Sequence, residues 1–250
     1  MQRYFVQGLP DENKSFSITG EDAHHMTNVM RMQPGSMFIA VFKNKTAAEC
    51  TIVELDKTDV LCAVSSFLQQ SPELPVDVTI AHGLPKGDKF ELVIQKSTEL
   101  GAHSFIPFKA SRSIVKWDEK KGSKKVERWN KISKEAAEQS HRLHLPEVHQ
   151  PVSFKELIKG AESFDTIIVA YEEQAKQGNV SSFSDALAAA SCGQSILVVV
   201  GPEGGLSEQE VTQLVENGAV ACGFGPRILR SETAPLYALA AISYQFELMR

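Results

Sequence analysis

After Pro75, continuous apolar runs alternate with stretches of helical periodicity, and no other feature of this 250-residue chain restricts its fold as much. Residues 76–81 read as a buried strand, and residues 166–170 and 196–200 lack the in–out alternation of a strand with one wet face. They read as parallel strands covered on both sides. Between them the spacing predicts a helix over 88–100, closed by Gly101, and another over about 126–139. Ser207-Glu208-Gln209-Glu210 is a capping box opening a helix with apolar Val211, Leu214 and Val215 and a stop at Gly218. Short strands are expected at 105–107 and 219–223. Thr233 is placed to cap a last helix, with Pro235 in its first turn and Leu236, Leu239, Ile242, Ser243 and Phe246 on one buried face. Such alternation implies an α/β domain with a mostly parallel sheet.

The first third has a different texture. Short alternating segments at 4–6, 16–18, 37–42, 49–55 and 60–67 are punctuated by Gly8, Gly20, Gly35 and Asp59, as in a small antiparallel barrel. One helix is expected over 21–32, carrying Met26, Val29 and Met30 and ended by Pro34-Gly35. The segment Gln69-Gln70-Ser71-Pro72-Glu73-Leu74-Pro75 reads as a connection. The expected organisation is therefore a barrel at 1–70, a linker at 71–75 and an α/β domain at 76–250, with no internal repeat.

At 42% hydrophobic and 23% charged, the composition argues against disorder and against a coiled coil. No apolar run approaches the roughly 20 residues of a membrane span, and the start lacks a secretory pattern. Cys50, Cys62, Cys192 and Cys222 are far apart, with no Cys-x-x-Cys pair, which suits a reduced cytoplasmic protein. Cys192 and Cys222, beside apolar residues, read as core thiols. The seven His form no set at metal-ligand spacing: neither His24-His25 nor His141-x-x-His144 is completed by a Cys or carboxylate, so no metal is expected.

Charge is uneven. Lys109, Arg112, Lys116, Lys120, Lys121, Lys124, Lys125, Arg128, Lys131 and Lys134 face only Asp118, Glu119 and Glu127, so residues 109–134 carry +7 on a chain whose net charge is −5. A basic stripe on an otherwise acidic protein, with Trp117 and Trp129 inside it, is a footprint for a local polyanion contact. A solvated helix face explains it equally well.

In an open α/β sheet ligands sit beyond the carboxyl ends of the strands. Gly201-Pro202-Glu203-Gly204-Gly205 follows an apolar strand and precedes a capped helix, so its amides can approach a ligand closely. It satisfies neither the Rossmann fingerprint nor the Walker loop, and Glu203 would repel a pyrophosphate. A nucleoside without phosphates and with positive charge fits, S-adenosylmethionine among them; an empty tight turn is the competing reading. The second polar concentration runs Gly225-Pro226-Arg227-Ile228-Leu229-Arg230-Ser231-Glu232-Thr233-Ala234. Ordinary capping accounts for Thr233 and Glu232, but two arginines at a helix N-terminus oppose its dipole and need another reason.

These two stretches resemble the knotted SPOUT superfamily of RNA methyltransferases, and more closely the ribosomal RNA small subunit methyltransferase E family, which makes N3-methyluridine in 16S rRNA. The resemblance extends to Arg3-Tyr4-Phe5, Ala23-His24-His25 with Val29-Met30-Arg31-Met32, Lys86-Gly87-Asp88-Lys89, the run Gln95–Gly101 and Ala137-Glu138-Gln139-Ser140-His141-Arg142. It implies an N-terminal PUA-like β-barrel that binds RNA, a SPOUT α/β methyltransferase domain with a C-terminal trefoil knot, bound S-adenosylmethionine and a homodimer. It also implies a cofactor pocket of Ala170, Val200, Gly201, Glu203, Gly204, Gly205, Phe224, Gly225, Ile228, Leu229, Arg230 and Thr233. Phe224 stands where relatives have leucine.

Uracil N3 is a weak acid and must lose its proton before it attacks a methyl group. Arg230, or Arg227, is the candidate for stabilising charge on the uracil oxygens. Glu232 is the candidate base, provided burial raises its pKa. Arg3, His25, Arg31, Lys86, Lys96, Arg112 and Arg142 are candidates for holding the RNA of the small ribosomal subunit. Two rivals are a catalytically silent ribosome-assembly factor and a SPOUT 2′-O-ribose methyltransferase. The intact glycine loop and Arg230–Thr233 stretch argue against the first, and the N-terminal signature against the second.

Overall fold

The computed structural model describes residues 1–56, 58–114, 119–173 and 181–249, which fall into two compact units. Unit 1 comprises Met1–Glu73 and Ala137–Leu145; unit 2 comprises Leu74–Ala136 and Pro146–Arg250.

Unit 1 is built on β1 (Arg3–Val6), β2 (Ser15–Thr19), β3 (Met37–Phe42), β4 (Ala47–Leu55) and β5 (Asp59–Phe67), in the order β1-β3-β4-β5-β2. The expected strands are present, but the sheet is not wholly antiparallel: β1 runs parallel to β3, with Arg3 opposite Ile39. The long connection between those strands permits the crossover that parallel pairing needs. Alternate residues of each strand point inward, where Phe16 meets Phe38 and Phe42 edge-on at centroid distances of 6.4 and 5.1 Å. Burial pushes the thiols of Cys50 and Cys62 up to about 11 and about 12, so both are inert core groups. The single helix expected over 21–32 is two pieces. Helix α1 (Gly20–His24) runs into a π-turn at His25–Val29, and Arg31 then leaves with φ +52°. Wide turns of this kind are rare and concentrate at functional sites.

Unit 2 is an all-parallel sheet of β6 (Asp77–Gly83), β7 (Ser104–Lys109), β8 (Glu147–Val148), β9 (Val152–Ser153), β10 (Thr166–Ala170), β11 (Ser195–Val200) and β12 (Val220–Cys222). The order is β12-β10-β11-β6-β7-β8, with β9 also on β7. Helices α2 (Lys89–Glu99), α3 (Glu119–Gln139), α4 (Phe154–Ala161), α5 (Ser181–Ala189), α6 (Glu208–Glu216) and α7 (Ala234–Ser243) accompany it. The apolar runs are buried on both faces. Ile196, Val198 and Val200 join one core with Phe90, Trp129 and Leu239, while Leu197 and Val199 join the other with Leu157, Val211 and Leu214. No helix among the described residues is long and apolar enough to cross a membrane.

Three expectations change. Trp129, read as part of the basic stripe, is 6% exposed and meets Phe90 edge-on at 4.8 Å, because it lies on the core face of α3. Trp117 and Lys116 lie outside the described residues, as do the side chains of Lys120 and Lys121. Cys192 is exposed rather than core, whereas Cys222 is buried with its thiol pushed up to about 11. Thr233 precedes α7 but makes no side-chain cap; its own amide and that of Ala234 bond to the Arg230 carbonyl at 2.9 and 3.0 Å.

Candidate active site

The loops that follow β10, β11 and β12 enclose a cavity of about 600 Å³ in unit 2, within the size range of small-molecule sites. Backbone shape makes the β11 loop possible. Gly205, at φ +68°, closes a turn by donating its N–H to the Pro202 carbonyl at 2.8 Å. At Gly201 a Cβ would lie 2.7 Å from the backbone of Gly205 and Leu206, so no side chain fits there. The loop then delivers the chain to α6, where Ser207 and Glu210 form the expected capping box. Glu210 also accepts from the Ser111 amide at 2.7 Å and hydroxyl at 2.8 Å, tying the segment after β7 to α6.

The charges inside the cavity are organised by a residue that sequence reasoning left out. Lys89, in the first turn of α2, places its Nζ 3.1 Å from Glu203 and 3.5 Å from Glu232. The Lys86 amide adds a hydrogen bond to Glu203 at 3.1 Å. Burial pushes both carboxyls up, but backbone hydrogen bonds and Lys89 outweigh it and hold both below the ordinary carboxylate range. This corrects the expectation for Glu232: its environment favours the ionised form, which makes it a weaker base than a carboxylate raised by burial. Arg227 and Arg230 are exposed at the cavity's mouth, and Arg112 donates to the Gly204 carbonyl at 3.0 Å.

Ten of the twelve expected cofactor residues line the cavity: Ala170, Val200, Gly201, Glu203, Gly204, Gly205, Phe224, Ile228, Leu229 and Arg230. Gly225 and Thr233 do not. Tyr171 and Glu172, just past the end of β10, line it as well. Phe224 stacks with Tyr237 at 5.9 Å and lies 4.5 Å from Phe183, which fixes the β12 side of the wall. The closed glycine loop, the apolar Val200, Ala170 and Leu229, and the carboxylates suit a flat nucleoside carrying positive charge.

The expected RNA ligands are dispersed. In unit 2, Lys86 is exposed, Lys96 pairs with Glu99 at 2.8 Å, and Arg112 belongs to the cavity. In unit 1, Arg31 is exposed, and the half-buried His25 faces the Tyr4 hydroxyl through Nδ1 at 3.0 Å. Burial pushes the Tyr4 hydroxyl up to about 12, so it stays protonated and shares that bond as donor or acceptor. Arg142 contradicts its expectation. It is 3% exposed and paired with Glu73, whose carboxylate also takes the amides of Leu143 at 2.7 Å and His144 at 3.1 Å. Arg3 donates to the Arg142 carbonyl at 3.2 Å. Arg142 thus staples residues 137–145 into unit 1. No group of three or more His, Cys, Asp or Glu gathers at metal-binding distance among the described residues.

Comparison with known proteins agrees with this geometry. A family profile described as an RNA methyltransferase domain matches residues 72–243, and one described as an RNA methyltransferase PUA domain matches residues 18–65. The ribosomal RNA small subunit methyltransferase E of Bacillus subtilis is 53% identical over 100% of this chain and 99% of its own length. Its counterpart in Mycobacterium tuberculosis is 31% identical over 96% of this chain and 90% of its own. Among solved structures, the ribosomal RNA small subunit methyltransferase E of Neisseria gonorrhoeae, bound to S-adenosylmethionine, superposes with a TM-score of 0.83 at 28% identity, covering 98% of each chain. The chain belongs to the ribosomal RNA small subunit methyltransferase E family.

Proposed function

We propose that this protein transfers a methyl group from S-adenosylmethionine to N3 of one uridine in 16S rRNA near the decoding region, acting on the assembled small subunit in the cytoplasm. The observation that carries the reading is the cavity itself, where a glycine-rich loop, two exposed arginines and a lysine-bridged carboxylate pair converge. When bound, the cofactor supplies a methyl group activated by its sulfonium. The glycine loop and the walls formed by Ala170, Val200, Phe224 and Leu229 would hold the nucleoside, while Glu203 favours its positive charge.

Substrate activation falls to the 227–232 stretch. Arg230, helped by Arg227, would stabilise the charge that grows on the uracil oxygens as N3 loses its proton. Glu232, kept ionised by Lys89, would accept the N3–H as a hydrogen bond and orient the ring, with the proton passing on to solvent. Because N3 lies on the Watson–Crick edge, a paired target must first be unpaired. Arg3, His25 and Arg31 of the PUA-like unit, at 1–70, and Lys86, Lys96 and Arg112 of the 76–250 domain would hold the RNA, with 71–75 as their linker. The family resemblance adds a trefoil knot and a homodimer; the exposed Tyr244 and Leu248 beyond α7 support a second copy there. Methyl incorporation from labelled S-adenosylmethionine into unmethylated small subunits tests the proposal. Arg230→Ala should abolish it, and near-normal incorporation in that variant would remove Arg230 from the mechanism.

A further inference from the structure

His82, the penultimate residue of β6, is completely buried, yet both of its ring nitrogens face carbonyl oxygens. Nδ1 lies 2.7 Å from the Gly83 oxygen and Nε2 lies 3.0 Å from the Ser231 oxygen. Burial pushes the imidazole below its ordinary pKa against the pull of the Ser231 and Gly83 carbonyls and of Glu203 and Glu232, which favours the neutral ring, with one N–H for two acceptors.

The two contacts differ in consequence. The Gly83 oxygen belongs to the next residue on the same strand, and a bond to it joins nothing distant. The Ser231 oxygen belongs to the turn between Arg230 and Glu232, 149 residues away. That carbonyl needs a donor. In a continuing helix it would be served by the residue four positions on, but this is Pro235, which has no N–H. The surroundings hold the ring still. Phe90 packs beside it at a centroid distance of 5.8 Å, and a Cβ on Gly83 would lie 2.5 Å from the Pro202 ring. His82 and Gly83 therefore sit where the end of β6, the glycine loop and the 230–232 turn meet.

We infer that His82 is a positioning residue whose Nε2–H donates to the Ser231 carbonyl and so holds Arg230 and Glu232 in register with the glycine loop. Its link to turnover rests on the methyltransferase reading above; the placement of the hydrogen does not.

The test therefore has two parts. Nitrogen-15 NMR of ring-labelled histidine in the intact protein reads the tautomer directly. A proton on Nε2, alone or with one on Nδ1, is expected, and a neutral ring protonated only on Nδ1 would overturn the inference. In variants, the amide of His82→Gln replaces Nε2, whereas that of His82→Asn replaces Nδ1. Loss of one hydrogen bond should raise amide hydrogen exchange across 230–234 about tenfold in His82→Asn, while His82→Gln restores it. In the methylation assay His82→Asn should lower kcat by a similar factor with the KM for RNA unchanged. Rescue by Asn and not by Gln would assign the role to Nδ1 and the Gly83 carbonyl, and equal loss in both would reduce His82 to packing; either result overturns the inference. If wild-type protein transfers no methyl group, the activity reading fails while the tautomer and exchange results stand by themselves.

Discussion

Replacing Gly201 by alanine puts a Cβ 2.7 Å from the carbonyl carbon of Gly205 and the amide nitrogen of Leu206. Both are backbone atoms in a turn closed by the Gly205–Pro202 hydrogen bond, so no flexible side chain can yield. To restore ordinary contact near 3.4 Å, the two strands of the loop must part by about 0.7 Å. Overpacking of this order costs about 1–3 kcal/mol of stability. Displaced amides forfeit a further ~0.5–1.5 kcal/mol each in hydrogen bonds to a bound nucleoside, which weakens S-adenosylmethionine about ten- to hundredfold. Titration calorimetry with S-adenosylmethionine and thermal melting read the two effects separately. Gly160→Ala is the control: the residue is exposed in α4 with nothing within 4 Å of a new Cβ, so it should stabilise by about 0.5–1 kcal/mol. If Gly201→Ala binds S-adenosylmethionine like the wild type and melts at the same temperature, the loop is not the ligand cradle described above.

Glu73→Ala removes the carboxylate that faces the buried Arg142 and the Leu143 and His144 amides and should destabilise unit 1 by about 3–5 kcal/mol in denaturant titration, with an undiminished midpoint counting against the staple. The same carboxylate gives an acid signature. Burial opposes its charge, but Arg142 and the Leu143 and His144 amides hold its pKa below the ordinary range. Its stabilisation is therefore fully present above about pH 4.3 and lost as pH falls through the folded value, and Glu73→Gln should flatten that part of the stability profile. Glu210→Ala removes the carboxylate's half of the capping box and the Ser111 hydrogen bonds together, leaving the Ser207 hydroxyl on the residue-210 amide, and should cost about 1.5–3 kcal/mol, read by thermal melting. Lys124 and Lys125 are exposed on α3. If the stripe meets RNA, Lys124→Gln/Lys125→Gln should reduce the slope of log affinity against log salt by about 0.7 for each phosphate these lysines neutralise; an unchanged slope assigns them to solvent.

How far the sequence could be read depended on whether the signal was local. The β10 and β11 runs were legible because burial on both faces leaves only apolar residues after the first, Thr166 and Ser195, and α6 because its capping box is contiguous. Trp129 shows a legible signal misweighed: Val126, Trp129 and Ser133 lie at helical spacing on one face of α3, and that spacing outranks the charges around them. The capping box Ser153–Glu156 was equally readable and announces α4, whereas the two-residue strands β8 and β9 carry too little pattern to find. Lys89 and Arg142 could not be placed by local reasoning. The first meets Glu203 and Glu232 more than a hundred residues away, and the second meets Glu73 across 69 residues. Without those partners, Lys89 reads as an exposed helix lysine, Arg142 as an RNA contact and Glu232 as a base with a raised pKa. The parallel β1–β3 pairing and the π-turn at His25 likewise depend on what the chain meets later.

The most direct test of the central claim is mass spectrometry of nuclease-digested 16S rRNA from unmethylated small subunits incubated with this protein and S-adenosylmethionine. The account predicts one new N3-methyluridine, absent when Arg230→Ala replaces the wild type. A methyl group on a ribose 2′-hydroxyl, or no methylation of subunits that demonstrably bind the protein and its cofactor, would contradict it.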